Sequence, residues 1–210
     1  MPQHVEFGSH DRNFIRKLTE AGIAIDSIYD VGAAQGEWSW MMAKVVPQPT
    51  FNLFEPWESE QYAEFLAKVL HDRPDFRMHR IALGDEDTTL RLNLYADHVG
   101  NSLIDSDWEG VLDKRPVPVR RLDNVVTELG LPPADVIKID TQGFELNILK
   151  GGEATCRRAK ALMLETWLYR GYGPRTPLLS EIIEWPAARD FVLVGTGGCY
   201  GSPPMIKLVS

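Results

Sequence analysis

The chain has 210 residues, 44% hydrophobic and 25% charged, enough length and apolar content for one domain with a full core. Its net charge of −8 is spread along the chain, its one dense basic group (Lys114, Arg115, Arg120, Arg121) is broken by two prolines, and no apolar run reaches membrane-spanning length; a nucleic-acid partner and a membrane span are therefore unexpected. Cys156 and Cys199 lack metal-ligand spacing and the N-terminus lacks a signal-peptide pattern, which makes the cytoplasm the expected compartment.

Taken in chain order, short apolar runs alternate with helical stretches, the signature of parallel βαβ units. A helix is predicted from Asp11 to Ala21, stopped by Gly22, within an N-terminal helical segment 1–24. A buried strand, Ser27 to Val31, runs into a glycine-rich turn and a helix from Glu37 to Val46 that Pro47 and Pro49 end. Thr50 to Glu55 is a second strand, Glu58 to His71 a second core helix, and Phe76 to Leu83 a third strand. From 85 to 120 the pattern changes: Thr89 to Tyr95 and Val117 to Arg120 alternate apolar and polar residues around a loop from Ala96 to Gly110, which predicts a small β-hairpin insertion on the acceptor side. Parallel winding resumes with a helix from Asp123, a suitable N-cap, to Leu129. Then follow a strand from Ala134 to Asp140, a helix from Phe144 to Lys150 closed by Gly151-Gly152, and a strand from Ala161 to Thr166. Thr176-Pro177 opens a helix that Pro186 ends or kinks, and Phe191 to Val194 and Met205 to Val209 are closing strands. The whole chain, 1–210, reads as one α/β domain with a doubly wound, mostly parallel sheet.

In such a sheet, ligands sit beyond the carboxyl ends of the strands. There the first strand reads Asp30-Val31-Gly32-Ala33-Ala34-Gln35-Gly36, small residues that let backbone approach a ligand. A dinucleotide fingerprint would need glycine at relative positions 1, 3 and 6; counted from Gly32, Ala34 and Glu37 stand at the last two. Asp30 suits a cationic amino group rather than a pyrophosphate, and Glu55, 19 residues after Gly36, suits a ribose diol. Together they point to a nucleoside with a cationic tail, such as S-adenosylmethionine. The strand Val136-Ile137-Lys138-Ile139-Asp140 carries a lysine where a doubly buried strand should be apolar. Lys138 then needs a carboxylate partner, with Asp140 and Glu165 as the candidates.

The glycine turn, Phe54-Glu55-Pro56, Ala82-Leu83-Gly84-Asp85, Leu122-Asp123, and above all Ile137-Lys138-Ile139-Asp140-Thr141-Gln142-Gly143-Phe144-Glu145 with Leu149-Lys150-Gly151, resemble the FkbM-type methyltransferases over roughly residues 25 to 170. The resemblance implies a Rossmann-like, seven-stranded sheet with a terminal antiparallel strand. It also implies S-adenosylmethionine as methyl donor and a hydroxyl acceptor on a sugar, polyketide or related metabolite. One departure is Ala34, where the family commonly has asparagine. Candidate donor-binding residues are Asp30, Gly32, Ala33, Gly36, Glu55, Pro56, Ala82, Leu83, Ser102 and Asp140.

An alcohol acceptor must lose its proton as the methyl bond forms, and a carboxylate or imidazole within reach can take it. Asp140 is the first candidate, tuned by Lys138, followed by Glu165 and by His98 in the loop; Glu145 reads as a helix-end stabiliser. Trp108 and the stretch Trp167 to Arg175 are expected around the acceptor. No metal site is expected. The expected partners are a small-molecule or carbohydrate acceptor and, in assembly, a second copy of the chain as a homodimer. Two other readings compete: a nicotinamide-dependent oxidoreductase, and a donor-binding module without catalysis.

Overall fold

The computed structural model describes residues 8–46, 49–105, 110–197 and 205–210. Its large sheet grows from runs that the sequence makes apolar on both faces. Strands β1 (Ser27–Val31), β7 (Val136–Ile139) and β8 (Ala161–Glu165) are buried at every position, as central parallel strands should be. With β2 (Thr50–Phe54), β3 (Phe76–His79), β9 (Val192–Thr196) and β10 (Met205–Val209), they form seven strands in the order β3-β2-β1-β7-β8-β10-β9. All neighbouring pairs are parallel except those made by β10, which runs antiparallel to both β8 and β9.

Helices cover both faces. Phe14, Ile15 and Leu18 of α1 (Ser9–Glu20), Trp38 and Met42 of α2 (Glu37–Met42) and Val69 of α3 (Ala63–Asp72) pack with Ile28, Phe51, Leu53 and Met163 on one face. On the other face, Leu122 and Val125 of α4 (Leu122–Leu129), Ile148 and Leu149 of α5 (Glu145–Gly151) and Ile182 and Trp185 of α7 (Leu179–Ala187) pack with Tyr29, Ile137, Leu162 and Ile206. The period-2 alternation along β1 thus sends Tyr29 and Val31 to one core and Ile28 to the other.

Several local expectations are corrected. The predicted strand 76–83 is two strands: β3 ends at His79, the chain turns at Arg80-Ile81, and β4 (Ala82–Gly84) joins a second sheet of order β4-β6-β5. In that sheet β5 (Thr88–Leu94) and β6 (Asp113–Arg121) pair antiparallel as the predicted hairpin, with β4 added in parallel on the far edge of β6. Pro116 and Pro118 are tolerated because β4 meets β6 only from Val119 onward. Helix α2 stops at Met42, four residues before its expected end, in turns that lead towards the prolines. Asp123 does not cap its own helix, whose N-cap is Arg121. Its carboxylate accepts instead from the N–H groups of Ala154 and Thr155, at 3.0 and 2.8 Å, in the short helix α6 (Glu153–Cys156). Helix α7 begins at Leu179 rather than beside Pro177, because Thr176 Oγ1 is engaged by the N–H of Tyr172.

Candidate active site

The exits of β1 and β7 touch. Gly32 has φ +76°, and a Cβ there would stand 1.8 Å from the carbonyl oxygen of Asp140, so only glycine lets the two strand ends lie side by side. Ala34 follows with φ 46°, a left-handed position that costs a non-glycine residue about 1–2 kcal/mol. Its N–H donates to Glu55 Oε2 at 3.0 Å, while the N–H of Trp57 donates to Glu55 Oε1 at 3.1 Å. The end of β2 is thereby stapled to the glycine turn. Beyond β7 the chain enters the left-handed region again, at Gln142 (φ 56°) and Gly143 (φ 100°). Glu145 fixes this second turn: its Oε1 accepts from the N–H groups of Thr141 (2.9 Å) and Gly143 (3.1 Å).

A cavity of about 690 Å³ opens over these turns at the carboxyl edge of the large sheet. On its wall stand Gly32, Ala33, Glu55, Pro56, Ala82, Leu83, His98, Lys138, Asp140 and Glu165 from the predicted set. Val31, Phe54, Ile81 and Phe144 supply apolar surface. The segment from Asp97 to Leu103 also lines the cavity, with Asp97, His98, Val99, Gly100, Asn101 and Leu103 on the wall. Four contacts hold it in place. His98 Nε2 lies 2.6 Å from Gln35 Oε1, and its ring stacks on Tyr62 at 3.9 Å. Ser102 Oγ donates to the carbonyl of Gln142 at 2.7 Å. The Tyr172 hydroxyl stands 2.9 Å from both the carbonyl oxygen of Gly100 and Gln142 Oε1.

Three predicted donor contacts stand off the wall. Asp30, expected to meet a cationic amino group, is completely buried beneath it: its carboxylate takes Ser39 Oγ at 2.7 Å and Lys138 Nζ at 3.0 Å. The parallel register of β1 on β7 sets Asp30 directly opposite Lys138, a neighbourhood no local pattern reveals. Ser102 is likewise buried and serves the segment 97–103, and Gly36 (φ +79°) caps α2. From the stretch Trp167–Arg175, Trp167 and Tyr172 are buried behind the site, while Leu168 and Tyr169 are exposed. Trp108 and Cys199 lie outside the described residues. Asp11, Gln35, Glu37, Trp38 and Gln142 were not singled out from sequence yet line the cavity. Gln142 had a signal, its place in the Asp140-to-Glu145 segment.

The charges are arranged unevenly. Burial works against the charge of Lys138, but Asp30, Asp140 and Glu165 outweigh it and hold the ammonium above its ordinary range. The ammonium also donates to the carbonyl of Gly32 at 3.0 Å and lies 3.5 Å from Asp140 Oδ2. Gln142 spends both amide hydrogens on acids: Nε2 donates to Asp140 Oδ1 at 3.0 Å and to Glu165 Oε1 at 3.1 Å. Burial, followed by the charges of Asp140 and Glu145, raises Glu165 well above the usual carboxylate range. Burial raises Glu55 as well, against the pull of its two backbone donors. Burial lowers His98, opposed by Asp97, which leaves a neutral imidazole at pH 7. With Nε2–H given to Gln35, its lone pair sits on Nδ1, which is buried without a hydrogen-bond partner. Among the described residues no cluster of His, Cys, Asp and Glu is arranged to hold a metal ion, and no helix is long and apolar enough to cross a membrane.

This arrangement fits a nucleoside donor: apolar side chains and small residues beside a strand-end carboxylate, next to an acid pair. The family model of the methyltransferase FkbM domain matches residues 30–193. Methyltransferase 1 of Beauveria bassiana is 28% identical over 168 residues, which cover 70% of this chain and 67% of that protein. Methyltransferase sdnD of Sordaria araneosa is 26% identical over 195 residues, covering 78% and 74%. Among solved structures, the methyltransferase FkbM from Methylobacillus flagellatus KT superposes with a TM-score of 0.60 at 18% identity, over 90% of this chain and 45% of that one. The likeness to that structure is one of fold.

Proposed function

Because the chain belongs to the FkbM methyltransferase family, we propose that it moves a methyl group from S-adenosylmethionine to a hydroxyl on a sugar, polyketide or other small metabolite. The observation that carries this reading is the cavity at the carboxyl edge of the sheet, where Glu55, Asp140 and Glu165 converge from the ends of three different strands. When bound, S-adenosylmethionine supplies an electrophilic methyl group on a sulfonium.

The remaining work falls to the chain. Glu55 keeps lone pairs free after its two backbone hydrogen bonds, and these accept from the ribose diol. Gly32 and Ala33 bring backbone close to the donor's tail, while Phe54, Ile81 and Leu83 offer apolar surface to its base. The segment 97–103 excludes water from the reacting atoms. Asp140 receives the acceptor's proton; it is 29% exposed at its side chain, the more open member of the acid pair, and Lys138 and Gln142 orient its two oxygens. Much of the acceleration then comes from holding an acceptor oxygen at near-attack distance, ~3–3.5 Å from the methyl carbon.

Calorimetric titration with S-adenosylmethionine and with NAD is the first test; binding of NAD without binding of the methyl donor ends this reading. A mass-spectrometric screen of hydroxylated acceptors is the second, with a gain of one methylene unit on an oxygen as the expected product. Methylation confined to nitrogen, carbon or sulfur would keep the donor and remove the hydroxyl acceptor.

A further inference from the structure

We propose that Asp140 and Glu165 make this cavity select a positively charged centre over a neutral one, so that the donor is held while its sulfonium is charged and the demethylated product is let go once that charge has left. The inference rests on the donor reading above and concerns what the acid pair does within it. Of the ionisable side chains on the wall, Asp11, Glu37, Glu55, Asp97, Asp140 and Glu165 are acidic; apart from His98, Lys138 is the one base among the described wall residues. Lys138 is already committed, to Asp30 and the Gly32 carbonyl at 3.0 Å each. Asp11 is answered by Lys207 at 2.9 Å and by Trp38 Nε1 at 3.0 Å, and Glu55 by its two backbone donors.

The acid pair is not answered in the same way. Asp140 and Glu165 divide a single amide group between them, and the Lys138 ammonium stands farther from Asp140 Oδ2, at 3.5 Å, than from its own closer partners at 3.0 Å. Glu165 is only 6% exposed, and its Oε2 lies buried without a hydrogen-bond partner although the residue forms part of the cavity wall. A buried carboxylate oxygen in that condition needs either a proton or a cation against it. The groups facing Glu165 are Lys138 from β7, Asp140 just past its end, Glu145 from α5, Gln142 from the intervening turn and the phenol of Tyr172. Two of these are further acids, and the lone ammonium sits closest to Asp30, at 3.0 Å, with Asp140 at 3.5 Å.

The chemistry preserves the balance. As the acceptor's oxygen–carbon bond forms, the carbon–sulfur bond breaks and its electron pair stays on sulfur, leaving a neutral thioether. The acceptor's hydroxyl proton passes to a carboxylate of the pair. Positive charge has moved from sulfonium to proton, one negative charge of the pair is cancelled, and the neutral thioether is attracted less than the sulfonium was.

The test is calorimetric titration of the full chain with sinefungin, which carries a protonated amine in place of the sulfonium methyl, and with S-adenosylhomocysteine, the neutral thioether. Sinefungin is expected to bind at least about tenfold more tightly at pH 7, as a nearby desolvated carboxylate requires. That ratio should fall to within about threefold in Glu165→Gln. Asp140→Asn, at the more exposed position, provides the second variant if Glu165→Gln does not fold, and should reduce the ratio in the same direction. Equal affinities in the unaltered chain, or a ratio that survives in folded variants, overturns the inference while leaving the donor site standing. Binding of neither compound removes the donor reading, and the inference with it.

Discussion

Two carboxylates at the ends of β2 and β7, the strands that flank β1, have different tasks under the proposed function, and single substitutions separate them. Glu55 is stapled to the glycine turn on the cavity wall, and if it holds the donor's ribose as proposed, Glu55→Ala should weaken donor binding by about ten- to a hundredfold, the value of one or two hydrogen bonds to a charged group. Asp140→Asn keeps shape and an acceptor oxygen but cannot take a proton, so turnover should fall by about a hundredfold or more with a smaller change in donor affinity. Calorimetry on both variants beside initial rates checks the split; identical losses of binding in the two would merge the roles. At this scale the sequence was informative where chemistry and strand ends coincide: Glu55, Asp140 and Glu165 all reach the wall. It misled at Asp30, whose carboxylate is next to the glycine turn in the chain but opposite Lys138 across the sheet. Local spacing cannot tell an acid that faces a ligand from one that answers a buried lysine, because register decides it. Ala34 adds a further turn position that asparagine would occupy with less strain.

Strand pairs and turns carry energetic consequences of their own. The β1–β7 contact contains a buried ion pair, Lys138 4% and Asp30 0% exposed at their side chains. Removing one member strands the other, so Lys138→Met should cost about 3–5 kcal/mol in urea denaturation. The double variant Lys138→Met/Asp30→Leu should recover most of that loss, since two apolar residues remove both charges together. A double variant as unstable as the single one would show that Lys138 acts mainly through Gly32 and Asp140. The turn ahead of α5 gives a pH signature. Burial, opposed by the backbone donors at Thr141 and Gly143, raises Glu145 from 4.5 to about 7. The folded state therefore holds that proton more tightly than the unfolded one. Its stabilising contribution is complete below pH 4.5 and is lost as the pH rises through about 7. Glu145→Gln retains the accepting oxygen without the titration, so between about pH 5 and pH 8 the unaltered chain should lose on the order of 2–3 kcal/mol more than the variant. Most helices and strands were legible from period and punctuation. The split between β3 and β4 was not, because the alternation from Phe76 to His79 passes into Ile81-Ala82-Leu83 with no glycine or proline between them to mark where the backbone changes sheets. Asp123 shows the same limit: an acid in a helix's first turn can cap a different helix.

Across the whole molecule, the first helix and the last strand are tied together beside the cavity. Lys207 of β10 is buried, pairs with Asp11 of α1 and lies over the ring of Phe14, and Asp11 in turn receives the indole N–H of Trp38. Lys207→Met should loosen α1 from the sheet. Limited proteolysis is expected to cut within residues 9–20 several times faster in the variant than in the unaltered chain, with the sheet core still protected; unchanged cleavage would show that Phe14, Ile15 and Leu18 dock the helix unaided. The doubly wound order and the antiparallel last strand followed from alternating elements and from family likeness. This anchor did not, since nothing near Lys207 in the chain announces a partner almost two hundred residues away. A phenol owns one hydrogen, yet that of Tyr172 stands equally near the carbonyl of Gly100, on the cavity wall, and the amide that steadies the two acids, at Gln142. Carbonyl and amide are thus rivals for the same small gift.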